Sequence, residues 1–164
     1  RQISRPQHGT RSWCIASHWF LDQLKQEGKI CMASLSTHSR PLAIEAMDEG
    51  WDPIMVPHSA AHRGAEDAVL PHAVKRGTSV ITFNNTCYGR LLKEANAADC
   101  YRFSLAQEGV SLCWTAPTTI EQLQANLEAL ENPEIASERI AELKEIGARV
   151  YREDKTFERC VRAL

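Results

Sequence analysis

Long hydrophobic runs, paired cysteines, a marked excess of one charge and the glycine-rich fingerprints of common nucleotide sites are all missing from this chain of 164 residues. No apolar stretch approaches the roughly 20 residues needed to span a bilayer, so no membrane partner is expected. Formal net charge is −2, which gives no electrostatic footprint for nucleic acid or an anionic surface. The six cysteines, Cys14, Cys31, Cys87, Cys100, Cys113 and Cys160, are scattered, and C-x-x-C never occurs. A disulfide framework is unexpected in such a chain, and a zinc or iron–sulfur site needs closer ligand pairs. The expectation is therefore free thiols, no metal and a cytoplasmic location. Cys31 and Cys113 lie in apolar stretches and read as buried and inert. Neither G-x-G-x-x-G nor a P-loop is present, which disfavours an ordinary dinucleotide-fold or NTPase site. Residues 1–11 lack the apolar core of a signal peptide. The first residue is arginine rather than methionine, and truncation is the expected reason.

What the chain does have is a rhythm. Helix-like stretches run into Gly28, Gly50, Gly77 and Gly109, and each glycine is soon followed by a short apolar segment. Glycine just past a helix end supplies the positive φ that this position commonly needs. The strands expected are Ile30–Leu35, Ile54–Val56, Val80–Phe83 and Val110–Trp114. Strands alternating with helices pair in parallel, because each crossover carries the chain back before the next strand begins. Four βα units amount to half of an eight-stranded α/β barrel.

The helices expected between them are Trp13–Glu27, Pro41–Glu49, a helix from about Ala65 to Lys75, and Leu91–Gln107 in pieces. Ser39 reads as an N-cap with Pro41 in the first turn. Thr118 and Glu121 have capping-box spacing, and Ile120, Leu123, Leu127 and Leu130 then form an apolar stripe. Pro133 breaks that helix, and Ile135–Ile146 starts another. The layout is one partial domain over 1–164: a loop or cut end at 1–12, four units over 13–131, and a helical extension over 133–164.

Polar residues gather just after each strand: Ser36, Thr37 and His38; His58 and Ser59; Asn84, Asn85 and Thr86; Thr115, Thr118 and Thr119. In α/β barrels and open sheets ligands bind at the carboxyl ends of the strands, although such residues also cap helices. The loop Asn84–Arg90, with Gly89 and Arg90, has the small polar side chains and guanidinium that can hold a pyrophosphate. A bare turn would look similar. His58 and His62 stand four apart, but without the acidic partner of an H-E-x-x-H motif they make a poor metal pair. Glu66 and Asp67 read as charges favouring a helix N-terminus.

The stretches LKQEGKICMASLSTHSRPLAIEAMDEG, WDPIMVPHSAAHRGAEDAVLPHAVKRGTSVITFNNTCYGRLL and DCYRFSLAQEGVSLCWTAPTTIEQLQANLEAL, together with the helix after Pro133, resemble the C-terminal half of an aldo/keto reductase. The resemblance runs over roughly 21–130 in the right order and spacing. It implies the last four strands of a (β/α)8 barrel and NAD(P)H-dependent reduction of carbonyls to alcohols, with a small-molecule carbonyl as substrate. Ser36 and Thr37 correspond to the family's serine–asparagine pair at the nicotinamide carboxamide, with Thr37 departing from the amide. His58 lies close to the other carboxamide-binding position. Phe83 resembles the aromatic residue stacked on the nicotinamide ring, and the stretch from Asn84 through Gly89 and Arg90 to Leu91 resembles the pyrophosphate loop. Ala116–Thr119, including Thr118, corresponds to the loop at the adenosine 2′-phosphate, and Asn126 to the asparagine at the adenine. Gln122 stands where many members have arginine and Ala125 where many have glutamate, which weakens the case for NADP over NAD.

The family's catalytic aspartate, tyrosine, lysine and histidine belong to the first four units, so no catalytic residue is assigned here. His8 and His18 lack the preceding strand that would make either the catalytic histidine. The resemblance thus implies the cofactor-binding half of a reductase. A different reading is a noncatalytic dinucleotide-binding or partner module. In both, the open half-barrel needs a partner, either the missing N-terminal half or a second copy in a homodimer.

Overall fold

The computed structural model describes residues 12–153. The expected loop at the N-terminus and the charged segment beyond residue 153 lie outside the described residues. The chain divides into two compact units, Arg1–Ala33 and Ser34–Leu164. In the first, helix α1 (Ser12–Gln26) matches the expected amphipathic stretch. It closes with the Gly28 N–H on the Lys25 carbonyl and Gly28 at φ +69°. Trp19 and Phe20 on this helix are exposed.

The second unit carries four parallel strands in the order β1-β2-β3-β4: β1 (Leu35–Ser36), β2 (Ile54–Pro57), β3 (Val80–Phe83) and β4 (Val110–Cys113). Three of the four lie within a residue of expectation. The first is much shorter than Ile30–Leu35, because its partner β2 begins only at Ile54, which registers with Leu35. Cys31 therefore falls outside the strand and is exposed, correcting the expectation of a buried thiol. Burial does push the thiols of Cys100 and Cys113 up to about 12 and about 11, which keeps them protonated and unreactive.

Between the strands run α2 (Arg40–Asp48), α3 (Val69–Arg76), a short 3-10 turn at Leu91–Lys93, and α4 (Ala97–Leu105). Ser39 caps α2 by accepting the Leu42 N–H, as its position before Pro41 foretells. Asn96 caps α4 in the same way through the Asp99 N–H. α3 starts four residues later than expected: Ala68 makes no side-chain cap, and residues 64–68 form a turn instead. Gly77 ends α3 in the left-handed conformation, donating to the Ala73 and Val74 carbonyls.

Alternation along the strands separates two faces. Ile54, Val56, Val80 and Thr82 are buried, on the side where α2 packs on β1 and β2. Met55, Pro57, Ile81 and Phe83 are only half-buried. Register places Ser36, Met55, Ile81 and Leu112 in one row across that second face.

After β4 come α5 (Ile120–Glu131) and α6 (Ser137–Glu153). The N-cap of α5 is Thr119 rather than Thr118, with Thr119 Oγ1 accepting the Gln122 N–H. The apolar stripe expected on α5 faces outward: Ile120, Leu123, Leu127 and Leu130 are 65%, 36%, 43% and 64% exposed. Ala129 is the buried position, packed with Ala98 and Tyr101 of α4. As the last helix before the sheet edge, α5 has a neighbour on one side only. Arg102 ties that neighbour down, donating to the Asn132 and Glu128 carbonyls at the α5 C-terminus and to Asp99.

α6 begins two residues later than expected and runs past Ile146 to Glu153. Leu143, Ile146 and Val150 join Ala60, Ala61, Cys87, Leu91 and Phe103 in one core. The helix approaches so closely that a Cβ on Gly147 would stand 2.0 Å from the Ala60 carbonyl oxygen. Backbone cannot yield as a flexible side chain can, so Gly147→Ala should lower stability by about 1–3 kcal/mol in chemical denaturation. An unchanged midpoint would mean that α6 does not seat on the loop after β2.

Candidate functional site at the carboxyl ends of the strands

The sheet brings Ser36, Thr37, His58, Phe83 and Asn84 to the carboxyl ends of β1, β2 and β3. They are not equally open. Ser36 is exposed, on the half-bare face. Thr37 is buried, and its Oγ1 accepts the Ser39 N–H at 3.0 Å. Phe83 is half-buried, with the His38 ring set against it edge to face at 5.2 Å.

His58 is fully enclosed. Its Nδ1 lies 2.9 Å from Ser104 Oγ and its Nε2 3.1 Å from Glu66 Oε1, while its ring stacks on Phe103 at 5.8 Å. Beside an ionised Glu66 the consistent arrangement has Nε2–H donating to the carboxylate and the Ser104 hydroxyl donating to Nδ1. Ser104, His58 and Glu66 thus form a serine–histidine–carboxylate chain. Ser104 has no exposed surface, so this serine cannot meet a substrate and the chain is structural. Arg63 completes it with three hydrogen bonds to the same carboxylate at 2.7–3.1 Å.

Glu66, expected to serve a helix N-terminus, is instead the acceptor that locks the β2 loop. Neither its partnership with His58 nor the Ser104 contact has a sequence signature; only the spacing of Arg63 and Glu66 hints at it. Partial burial alone would raise the Glu66 carboxyl, but hydrogen bonds from His58 and Arg63 and the Arg63 charge outweigh it and leave the group at about 2. A depressed carboxyl contributes stability above its unfolded value, and that contribution is lost as pH falls through the folded value. Stability should therefore drop between pH about 4.5 and about 2, and Glu66→Gln should flatten that drop. Equal acid profiles for the two proteins, read by urea midpoints, would remove Glu66 from this role.

The loop after β3 is tightly self-bonded. Asn84 (φ +60°), Cys87 (+52°), Tyr88 (+54°) and Gly89 (+79°) all adopt the left-handed region. For the non-glycine residues that conformation is costly. It is held by Asn84 Oδ1 accepting the Tyr88 N–H and Thr86 Oγ1 accepting the Gly89 N–H. Arg90 is half-buried, and Leu91 is a core residue with no exposed side chain. Two amide atoms at this end of β3 are buried without a hydrogen-bond partner, Asn84 Nδ2 and Asn85 Oδ1. Such groups are costly to leave unsatisfied; the Asn85 amide is turned inward, its Nδ2 donating to the His58 carbonyl and to Thr82 Oγ1. The groups at this end that a ligand could reach are Ser36, which is exposed, and the half-buried Phe83 and Asn84.

At the fourth strand, Thr115 Oγ1 meets the Tyr101 hydroxyl at 2.8 Å and accepts from Asn126 Nδ2 at 2.7 Å. Gln122 Oε1 accepts both the N–H and the hydroxyl of Thr118. Asn126 and Gln122 are thus bonded within the chain, on the surface that faces the end of β4. Among the described residues no cluster of His, Cys, Asp and Glu could hold a metal ion, and no helix is long and apolar enough to cross a membrane.

No protein-family model matches this sequence, and no curated protein matches it. Solved structures do. The aldo-keto reductase AKR11C1 from Bacillus halodurans superposes with a TM-score of 0.66 at 20% identity, over 76% of this chain and 53% of that one. The glycerol dehydrogenase AKR11B4 from Gluconobacter oxydans gives 0.63 at 21% identity, over 79% and 52%. At such identities the likeness is one of fold. The chain spans about half the length of the structures it matches. Its four parallel strands and flanking helices form half of a (β/α)8 barrel, the fold of these solved structures, and correspond to their C-terminal half.

Proposed function

We propose that this chain supplies the dinucleotide-binding half of an aldo/keto reductase-type barrel, holding NADP or NAD for reduction of a small carbonyl compound. The observation that carries the reading is the gathering of Ser36, Phe83 and Asn84 at the carboxyl ends of the parallel strands in this fold. Bound there, the cofactor supplies the hydride. Ser36 and Asn84 would hold the carboxamide end, with the Phe83 ring as its apolar floor. Gly89 and Arg90 would hold the pyrophosphate. Thr118 would reach the adenosine side, with Gln122 and Asn126 beside it. Gln122 in place of an arginine removes a cation from that end, so preference for NADP over NAD should be weak. His58 and Leu91 would act from beneath, fixing the β2 and β3 loops rather than touching the cofactor. A reducing compartment such as the cytoplasm suits the free thiols.

Dinucleotide should bind the chain, and Arg90→Ala should weaken it by about tenfold or more, since a charge-assisted hydrogen bond contributes roughly 1.5–3 kcal/mol. A change below about threefold in the fluorescence-titrated Kd would reduce Arg90 to a surface residue. The chain alone should not turn over an aromatic aldehyde, because it carries no group assigned to proton transfer. NADPH oxidation well above a boiled control would overturn that.

The exposed stripe on α5 and the exposed Leu112 and Trp114 beside the β4 edge favour a partner that continues the barrel. A second copy or an N-terminal half would serve equally by geometry, since parallel strands would extend the sheet. The isolated chain should self-associate in sizing with light scattering, and Leu123→Glu with Leu127→Glu should shift it towards monomer. A monodisperse wild-type monomer would contradict this.

A further inference from the structure

A cavity of about 450 Å³ opens beside β2 and is lined by none of the residues assigned to the dinucleotide, although its His38 packs on Phe83. Its floor is apolar, made by Val56, Pro57, Ala60, Ala61 and Ala148, and the Tyr151 ring, packed edge to face on His62 at 5.7 Å, forms one wall. Its rim carries Arg40, Arg63 and Lys144, with His38 and His62, and among the described residues no carboxylate lines it. Arg63 is committed to Glu66. Arg40 and Lys144 differ: Lys144 forms no ion pair among the described residues, and Arg40 spends one N–H on the Gly64 carbonyl at 3.1 Å. Pockets of roughly 300–1,000 Å³ with an apolar lining and a few convergent polar groups are the usual seats of small organic ligands.

The charge is local to this cavity. On its far side Arg40 borders a more open groove lined by Glu45, Asp48, Glu49 and Asp67, which would repel an anion. The cavity therefore selects by sign as well as by shape. It is assembled from three separate places in the chain: the start of α2, the loop after β2, and α6. That loop is the one clamped by the Glu66 chain of hydrogen bonds and by the Gly147 contact. Two cations on different elements are thus held across one apolar floor by rigid parts of the fold.

We infer that this cavity binds a small organic anion, a carboxylate or phosphate ester whose carbon skeleton lies on the alanine floor and whose charge meets Lys144 and Arg40. The inference does not rest on the dinucleotide reading, and the two sites share none of the side chains assigned to the cofactor.

Phenyl phosphate and benzoate titrated onto the full chain, with inorganic phosphate for comparison, test it by amide shifts in a ¹⁵N spectrum. The organic anions should move the amides of Ala60, Ala61 and Tyr151. Lys144→Gln and Arg40→Gln should each weaken binding by about tenfold with thermal midpoints unchanged. Arg149→Gln, on the same helix but paired with Glu94, should bind like wild type. Gly64→Ala gives an independent check, because its Cβ would stand 2.0 Å from Arg40 Nη1 and displace the guanidinium; it should weaken binding as Arg40→Gln does. Equal affinity in Lys144→Gln and wild type would overturn the site. Inorganic phosphate binding as tightly as phenyl phosphate would overturn the role of the apolar floor. Displacement of the probe by NADP, with matching loss in Arg90→Ala, would mean that the probe occupies the dinucleotide's own phosphate position, and would overturn a separate site.

Discussion

Parallel pairing governs this molecule. Each crossover must leave the sheet and return, and packing the helices on one face leaves the other with only the contacts it finds for itself. Ile54, Val56 and Val80 disappear beneath the helices, whereas Met55, Ile81 and Phe83 on the opposite face remain half-buried and Leu112 exposed. In a closed barrel those side chains would fill the interior. In half a barrel they form an apolar surface between β1 and β4, the edge strands of the sheet among the described residues, and the exposed stripe of α5 lies on the β4 side. The same geometry gathers the loops that follow the strands at one end of the sheet, the end where ligands bind in such folds.

α6 modifies this picture. It lays Leu143, Ile146 and Val150 over the loops after β2 and β3, so those loops have a packed core beneath them. The closeness of Gly147 to Ala60 and the hydrogen-bonded chain from Ser104 through His58 to Glu66 both act on the β2 loop. One fixes it from above by contact, the other from within by polar groups that cannot be left unsatisfied once buried. The small-ligand cavity exists because this loop cannot relax into it.

Much of this was legible in the sequence, for identifiable reasons. Glycine at helix ends and β-branched segments after them are local signals, and they located β2, β3 and β4 closely. Ser39 before Pro41 announced its cap for the same reason. β1 was overread because the apolar run Ile30–Leu35 is a property of the segment, whereas strand length is set by a partner that begins at Ile54. The α5 stripe misled in the opposite direction. Its periodicity is genuine, but which side meets a neighbour depends on where the helix stands in the sheet order. The roles of Glu66 and Ser104 had no local signal, since His58 meets residues 8 and 46 positions away. The cap expected from Thr118 and Glu121 was close to the mark, displaced by one residue to Thr119 and the Gln122 N–H.

The claim at the centre of this account is that the carboxyl ends of β3 and β4 receive a dinucleotide. Hydrogen exchange of the full chain with and without NADP addresses it at the level of individual loops. The account predicts slowed exchange at the end of β1 and in the loops after β3 and β4, residues 36–38, 84–90 and 115–119, with residues 60–65 unchanged. Uniform exchange on adding NADP, or protection appearing instead at residues 60–65 and 144–151, would contradict it.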